Sequence, residues 1–93
     1  MTNKYELHKQ ICEELNKTYI AKNTDYGDSF TKVRNELGNT VILVRLMDKL
    51  ERLKTLLTGN KQNVKDESIE DSMKDLANYC LMELVERKLE AQQ

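Results

Sequence analysis

The 93-residue chain contains no proline, no tryptophan and only three glycines, while a third of its residues are charged. Proline and glycine interrupt helices more than other residues do, so their scarcity favours long helices with solvated faces. No apolar run approaches the 18 residues of a membrane-spanning helix, and the N-terminus lacks the apolar segment of a signal peptide. We therefore expect one small cytoplasmic domain over residues 1–93, without membrane contact.

Histidine and cysteine are also scarce, and neither charge sign dominates. The formal net charge is −1, and this balance excludes the basic surface that duplex nucleic acid requires. His8, Cys12 and Cys80 lack the spacing of a zinc site. Both cysteines lie on predicted apolar stripes, where a thiol packs as a small hydrophobe, and His8 is expected at the rim of the core.

The spacing of apolar residues predicts four helices, at about residues 3–22, 29–37, 40–58 and 68–89. The first helix is expected to start at Thr2 or Asn3, the third at Asn39 or Thr40, and the fourth at Asp66 or Ser68. The second helix is expected to end at Gly38 and the third at Gly59. Turns are predicted at residues 23–27 and a polar loop at residues 59–63. The expected fold is an all-α bundle of three long helices and one short helix, completed by oligomerisation. The side chains predicted to face its core are Ile11, Cys12, Leu15, Tyr19, Phe30, Val33, Leu37, Leu43, Leu46, Met47, Leu50, Leu53, Leu57, Ile69, Met73, Leu76, Cys80 and Leu84.

Two acidic segments lie on the third and fourth predicted helices. Asp48 and Glu51 belong to the first, and Asp71 and Asp75 to the second. Carboxylates one turn apart on two packed helices can hold a hard cation such as Mg²⁺. The same residues can instead form a solvated face, or salt bridges with the neighbouring cations, which are Arg45, Lys49, Arg52 and Lys74.

Apolar residues continue the lines of these carboxylates along both helices. Val41 and Val44 lie on the side of Asp48, and Met82 lies on the side of Asp75. A solvated face does not need such residues, so the pattern predicts a second packing surface. We expect a homo-oligomer, a dimer or a tetramer, in which the acidic residues line a cleft.

Three blocks of the sequence resemble the nucleotide modification associated domain 1 family. They are KNTDYGDSF at residues 22–30, VRLMDKLERL at 44–53 and ESIEDSMKDLANY at 67–79. Members of that family are small bacterial or phage-encoded proteins. More distantly, the layout is similar to the all-α nucleoside triphosphate pyrophosphatases, the MazG and dimeric dUTPase group.

The resemblance implies Mg²⁺-dependent hydrolysis of a nucleoside triphosphate to monophosphate and pyrophosphate. Asp48 and Glu51 match the first acidic pair of that group, and Asp71 and Asp75 the second. The spacing here is DxxE and DxxxD, where the group usually has ExxE and ExxD, and Ser72 occupies the position three before Asp75. The implied metal ligands are Asp48, Glu51, Asp71 and Asp75, and the implied catalytic residues are Asp48, Glu51 and Asp75.

The same resemblance implies roles in substrate binding. Lys22, Lys49 or Arg52 would contact phosphate. Tyr26 or Tyr79 would stack on the base, and Asn78 would read a base edge. The alternative is that the tyrosines fill the core or an interface, which is favoured more for Tyr79 than for Tyr26. Two alternatives remain open: a protein that binds and sequesters a nucleotide without turnover, and a helical protein-interaction module.

Overall fold

A computed structural model describes residues 3–59 and 68–93 of the chain. Within these ranges the protein consists of four helices and no strand: α1 (Lys4–Asp25), α2 (Ser29–Leu37), α3 (Thr40–Leu57) and α4 (Ile69–Ala91). The prediction of an all-α bundle with one short helix is confirmed. No helix in the described ranges is long and apolar enough to cross a membrane. The predicted loop beyond residue 59 and the alternative starts at Thr2 and Asp66 lie outside the described residues.

Side-chain caps set the starts of the two longest helices. Asn3 Oδ1 accepts a hydrogen bond of 2.8 Å from the Glu6 N–H, and Ser68 Oγ accepts one of 2.9 Å from the Asp71 N–H. Such caps satisfy backbone donors that the first turn leaves without partners. Both starts agree with the sequence prediction.

The first helix extends three residues beyond its predicted end at Lys22. The Tyr26 N–H still donates to the Lys22 carbonyl, at 2.9 Å. The helix ends where Gly27 and Asp28 take φ values of 62° and 60°. Glycine adopts this left-handed conformation without strain and aspartate tolerates it, so the chain turns here into α2.

The core lies where α2 and α4 pack on α3. Phe30, Val41 and Ile42 form its buried centre. Leu15 of α1 and Leu53 of α3 are buried as well. The partly buried residues that pack against the centre are Val33, Leu46, Tyr79 and Met82.

The predicted core-facing stripes of α3 and α4 are wrong in part. Leu53 is buried as expected and Leu46 is partly buried, but the other members of the α3 stripe are exposed. On α4 most of the stripe is exposed, Cys80 included, and so are Cys12 and His8 on α1. Both helices carry apolar residues on more than one face, so periodicity alone did not select the buried one. The exposed members of these two stripes are Leu43, Met47, Leu50, Leu57, Ile69, Met73, Cys80 and Leu84.

Polar side chains hold the outer helices against α4. Arg34 of α2 forms ion pairs with Glu83 and Glu90 of α4, and the Thr31 hydroxyl donates to Glu86. On the other side, Lys74 Nζ lies 2.7 Å from Glu14 Oε1 of α1. This hydrogen bond and the charge of Glu14 raise the pKa of Lys74. These contacts hold the side of α4 that carries Glu83 and Glu86, together with the core residues Tyr79 and Met82, toward the bundle in place of the predicted stripe.

Candidate functional site

A cleft of about 250 Å³ opens between the end of α1, the start of α2 and the facing sides of α3 and α4. Helix α1 continues to Asp25, through part of the predicted break, and its C-cap residue Tyr26 lines the cleft. After the turn at Gly27 and Asp28, α2 contributes Ser29 and Phe30 to the lining. The lining residues are Tyr19, Lys22, Asn23, Tyr26, Ser29, Phe30, Arg45, Asp75, Asn78, Tyr79 and Met82.

Asp75 of α4 is the carboxylate of this cleft, and two lysines from different helices approach it. Lys49 Nζ of α3 lies 3.0 Å from Asp75 Oδ2, and Lys22 Nζ of α1 lies 3.8 Å from Asp75 Oδ1. The Lys49 side chain is only 13% exposed, whereas that of Lys22 is 59% exposed. The fold thus brings together three residues that the sequence assigned to one site.

Tyr79 lies in the wall of the cleft between an aromatic residue and a cation. Its ring centroid is 6.4 Å from that of Phe30, with the ring planes tilted by 35°. The guanidinium carbon of Arg45 lies over the ring of Tyr79, 5.6 Å from the centroid, within the range of a cation–π contact. Tyr26, in contrast, is 68% exposed at the rim. Of the two tyrosines, Tyr26 therefore has the more accessible ring.

The side-chain amide of Asn78 has a structural partner. Its Nδ2 donates a hydrogen bond of 3.1 Å to the Leu15 carbonyl and so links α4 to α1. This bond holds the amide at the wall of the cleft. In that position the amide oxygen can still accept a hydrogen bond from a ligand, and the second N–H can still donate one.

The other predicted site residues do not line the cleft. Asp48 Oδ2 lies 3.7 Å from Arg52 Nε, and Glu51 Oε1 lies 3.1 Å from Lys54 Nζ, both on exposed parts of α3. Asp48 borders a separate apolar depression with Val33, Leu37, Thr40, Val41, Val44 and Arg45. Asp71 is exposed in the first turn of α4. Of the four predicted carboxylates, Asp75 is therefore the one that lines the cleft.

The fit of this chain to Mg²⁺ depends on how many carboxylates the ion requires. Among residues 3–59 and 68–93, no three Asp, Glu, His or Cys side chains form a group that could hold a metal. Mg²⁺ is nevertheless often held by one or two carboxylates, waters and substrate phosphates rather than by an all-protein cage. Asp75 could serve in that way, and a four-carboxylate site stays a prediction.

Sequence reasoning did not assign Arg45 to substrate binding, although the structure places it in the cleft. It treated this arginine only as a salt-bridge partner for the carboxylates. The spacing along the sequence could have identified Arg45, because Arg45 and Lys49 are four residues apart and therefore lie on the same face of a helix.

The comparisons with known proteins agree with the sequence blocks. A family model described as nucleotide modification associated domain 1 matches residues 22–86, a segment that contains every cleft-lining residue except Tyr19. No curated protein and no solved structure was found to match the chain. Because the family model covers more than half of its residues, the chain belongs to the nucleotide modification associated domain 1 family.

Proposed function

We propose that the protein binds a nucleotide in the cleft. The observation that carries the proposal is the combination of an accessible tyrosine, a hydrogen-bonding amide and several cations in one small concave site. Ligand sites are typically concave, with apolar and aromatic walls and a few convergent polar groups. The name of the family to which the chain belongs points in the same direction.

Charge and exposure suggest how the ligand is held. Lys22 and Arg45 line the cleft, Lys49 lies beside it, and Asp75 is the acidic residue of the lining. This excess of positive charge favours an anionic ligand. The exposed ring of Tyr26 is available to stack on a base, as aromatic side chains do with single nucleobases.

The reaction we propose is Mg²⁺-dependent hydrolysis of a nucleoside triphosphate to monophosphate and pyrophosphate, as in the MazG and dimeric dUTPase group. When bound, Mg²⁺ would neutralise phosphate charge and lower the pKa of a water molecule. Asp75 is the carboxylate that this chain offers inside the cleft, and Lys22 and Lys49 would bind phosphate oxygens beside it. Asp48, Glu51 and Asp71 do not line the cleft of one chain. In the proposed oligomer, a second copy would bring Asp48 and Glu51 to the cleft, together with Arg52, which lies beside Asp48.

The exposed apolar surface supports assembly as a homodimer or homotetramer. Many large apolar side chains of the described residues are exposed, and most of them lie on α3 and α4. Extended apolar surface of this kind typically marks a site of protein–protein contact. Along α3, Leu43, Met47 and Leu50 are spaced by four and then three residues, and each of them is at least half exposed. Such spacing is typical of helices that pack against another helix.

A second candidate is nucleotide sequestration without turnover. The observation that favours it is the pairing of Asp75 with Lys49 and Lys22, because a carboxylate engaged by two lysines is less available to a metal. The lack of a three-carboxylate group among the described residues points the same way.

A calorimetric panel with product analysis tests both candidates. Each ribo- and deoxyribonucleoside triphosphate is titrated into the protein with and without Mg²⁺, and the mixtures are then analysed for monophosphate and pyrophosphate. Mg²⁺-dependent product that disappears in Asp75→Asn supports the enzyme, provided that it persists in Glu36→Gln, a substitution at an exposed residue of α2 outside the cleft lining. Binding with recovery of unchanged ligand supports sequestration. If no nucleotide binds, the proposed function is wrong and a protein-interaction role is favoured.

A further inference from the structure

The cations of the cleft differ in what they contact. Lys49 and Lys22 both approach Asp75, at 3.0 and 3.8 Å. Arg45 contacts the ring of Tyr79 instead. Within the described part of the chain, no carboxylate lies within 4.0 Å of its guanidinium, so its charge is not neutralised by an ion pair there.

The contact with Tyr79 also holds the guanidinium of Arg45 at the wall of the cleft. A guanidinium that stacks flat on an aromatic face keeps its N–H groups directed outward in its own plane, where they can form two parallel hydrogen bonds. Phe30, which is 6% exposed, packs against Tyr79 from the core. The ring of Tyr79 beneath the guanidinium is therefore supported by a buried side chain of the core.

We propose that Arg45, positioned by Tyr79, is the residue that binds the phosphate of the nucleotide in this cleft. The assignment rests on the proposed nucleotide binding and adds to it a phosphate-recognising residue and its support. Phosphate oxygens match the forked donors of arginine, and a lysine cannot reproduce that geometry. Because the guanidinium covers one face of Tyr79, the base is left to stack on Tyr26.

The decisive experiment compares a nucleotide with its own nucleoside. Calorimetry gives the affinity of the wild-type chain for the tightest-binding triphosphate of the panel and for the matching nucleoside, each repeated with Arg45→Ala, Arg45→Lys and Lys88→Ala. Lys88 is exposed near the end of α4 and outside the cleft lining, so its removal matches the change in net charge. Arg45→Ala is expected to weaken the nucleotide about 10- to 100-fold and the nucleoside little. Arg45→Lys should recover only part of the loss.

The role of Tyr79 is tested by a conservative and a non-conservative substitution. Tyr79→Phe keeps the aromatic face and should bind the nucleotide as the wild type does, whereas Tyr79→Leu should weaken it while Arg45 is still present. Thermal unfolding shows whether each variant is folded. Equal binding by Tyr79→Phe and Tyr79→Leu would overturn the positioning role.

The outcomes separate this assignment from the function on which it rests. Wild-type binding that Arg45→Ala leaves unchanged, or weakens equally for nucleotide and nucleoside, overturns the assignment alone. Absence of nucleotide binding by the wild-type chain overturns the proposed function and the assignment with it.

Discussion

Arg34 on α2 binds the carboxylate of Glu83 on α4 through two hydrogen bonds, both 2.9 Å long. The two side chains are 8% and 9% exposed. Bidentate pairs of this kind are geometrically specific, because two donors must meet two acceptors in one plane. The pair fixes α2 against α4, and α2 contributes Ser29 and Phe30 to the cleft.

Breaking this pair should destabilise the fold strongly. Arg34→Met leaves the buried Glu83 carboxylate without its main partner, which typically costs about 3–5 kcal/mol. The free energy of unfolding, measured by urea titration, should fall accordingly. The double variant Arg34→Met with Glu83→Leu should recover much of the loss, because no uncompensated charge then remains in that position.

Arg87 provides the matched control. Its Nε lies 2.7 Å from the same carboxylate, but its side chain is 57% exposed. An exposed ion pair contributes about 0–1 kcal/mol, so Arg87→Met should have a small effect. Equal destabilisation by Arg34→Met and Arg87→Met would show that burial does not determine how much an ion pair contributes to the stability of this protein.

Lowering the pH should reduce the stability of the folded protein, and Glu83 should contribute to that loss. The hydrogen bonds from Arg34, and then from Arg87, hold the pKa of this carboxyl below its ordinary value of 4.5 in the folded state. Above that value the carboxyl is ionised in both states and its contribution to stability is complete. As the pH falls from about 4.5 through the lower folded pKa, the unfolded chain takes up the proton more readily and the contribution is lost.

The measurement is the free energy of unfolding as a function of pH for the wild type and Glu83→Gln. The wild-type curve should fall more steeply below pH 4.5, the ordinary value for this carboxyl. Parallel curves through the acid range would contradict the assigned cause.

Tyr26 should determine the affinity for the base. Stacking of a base on an aromatic side chain contributes about 1–3 kcal/mol, so Tyr26→Leu should weaken nucleotide and nucleoside alike. Tyr5→Leu is the matched control, because Tyr5 is exposed near the other end of α1 and does not line the cleft. Calorimetric titration of both variants checks the expectation, which fails if the two behave identically.

A charge on the exposed face of α3 should disrupt self-association. Leu50→Glu places a carboxylate among Leu43, Met47 and Leu57, and burying it against a second copy would be costly. Light scattering after size exclusion should show the wild type as an oligomer and this variant as a monomer. Thr55→Glu adds the same charge at an exposed position on another side of α3 and should leave the measured mass of the oligomer unchanged. A monomeric wild type would contradict the prediction.

The helices were predictable because their signals are local. Asn3 and Ser68 cap backbone donors within their own first turns, and Gly38 ends α2 with a φ of 68°. A cap or a left-handed residue acts over three or four positions, so the sequence contains all that is needed to place it. The site was predictable in part, since Lys22, Lys49 and Asp75 do meet.

The apolar periodicity of the sequence did not predict which face of each helix is buried. Leu50 and Cys80 lie on regular apolar stripes yet are exposed, while Glu83 and Glu86 are buried. The burial of a carboxylate depends on a partner far away in the chain, here Arg34 and Thr31. No pattern within one helix contains that information.

By itself, the amino-acid sequence determined the all-α class, the order of the four helices, their capped ends and the family to which the chain belongs. Each of these depends on local spacing or on residue identity along the chain. Only the tertiary structure decided which helix faces meet. It placed Asp75 in the cleft beside two lysines, left Asp48 outside the cleft lining, and placed Arg45 over the ring of Tyr79. These relationships arise from contacts between residues distant in sequence, whose energies depend on burial and on partners that only the folded chain supplies.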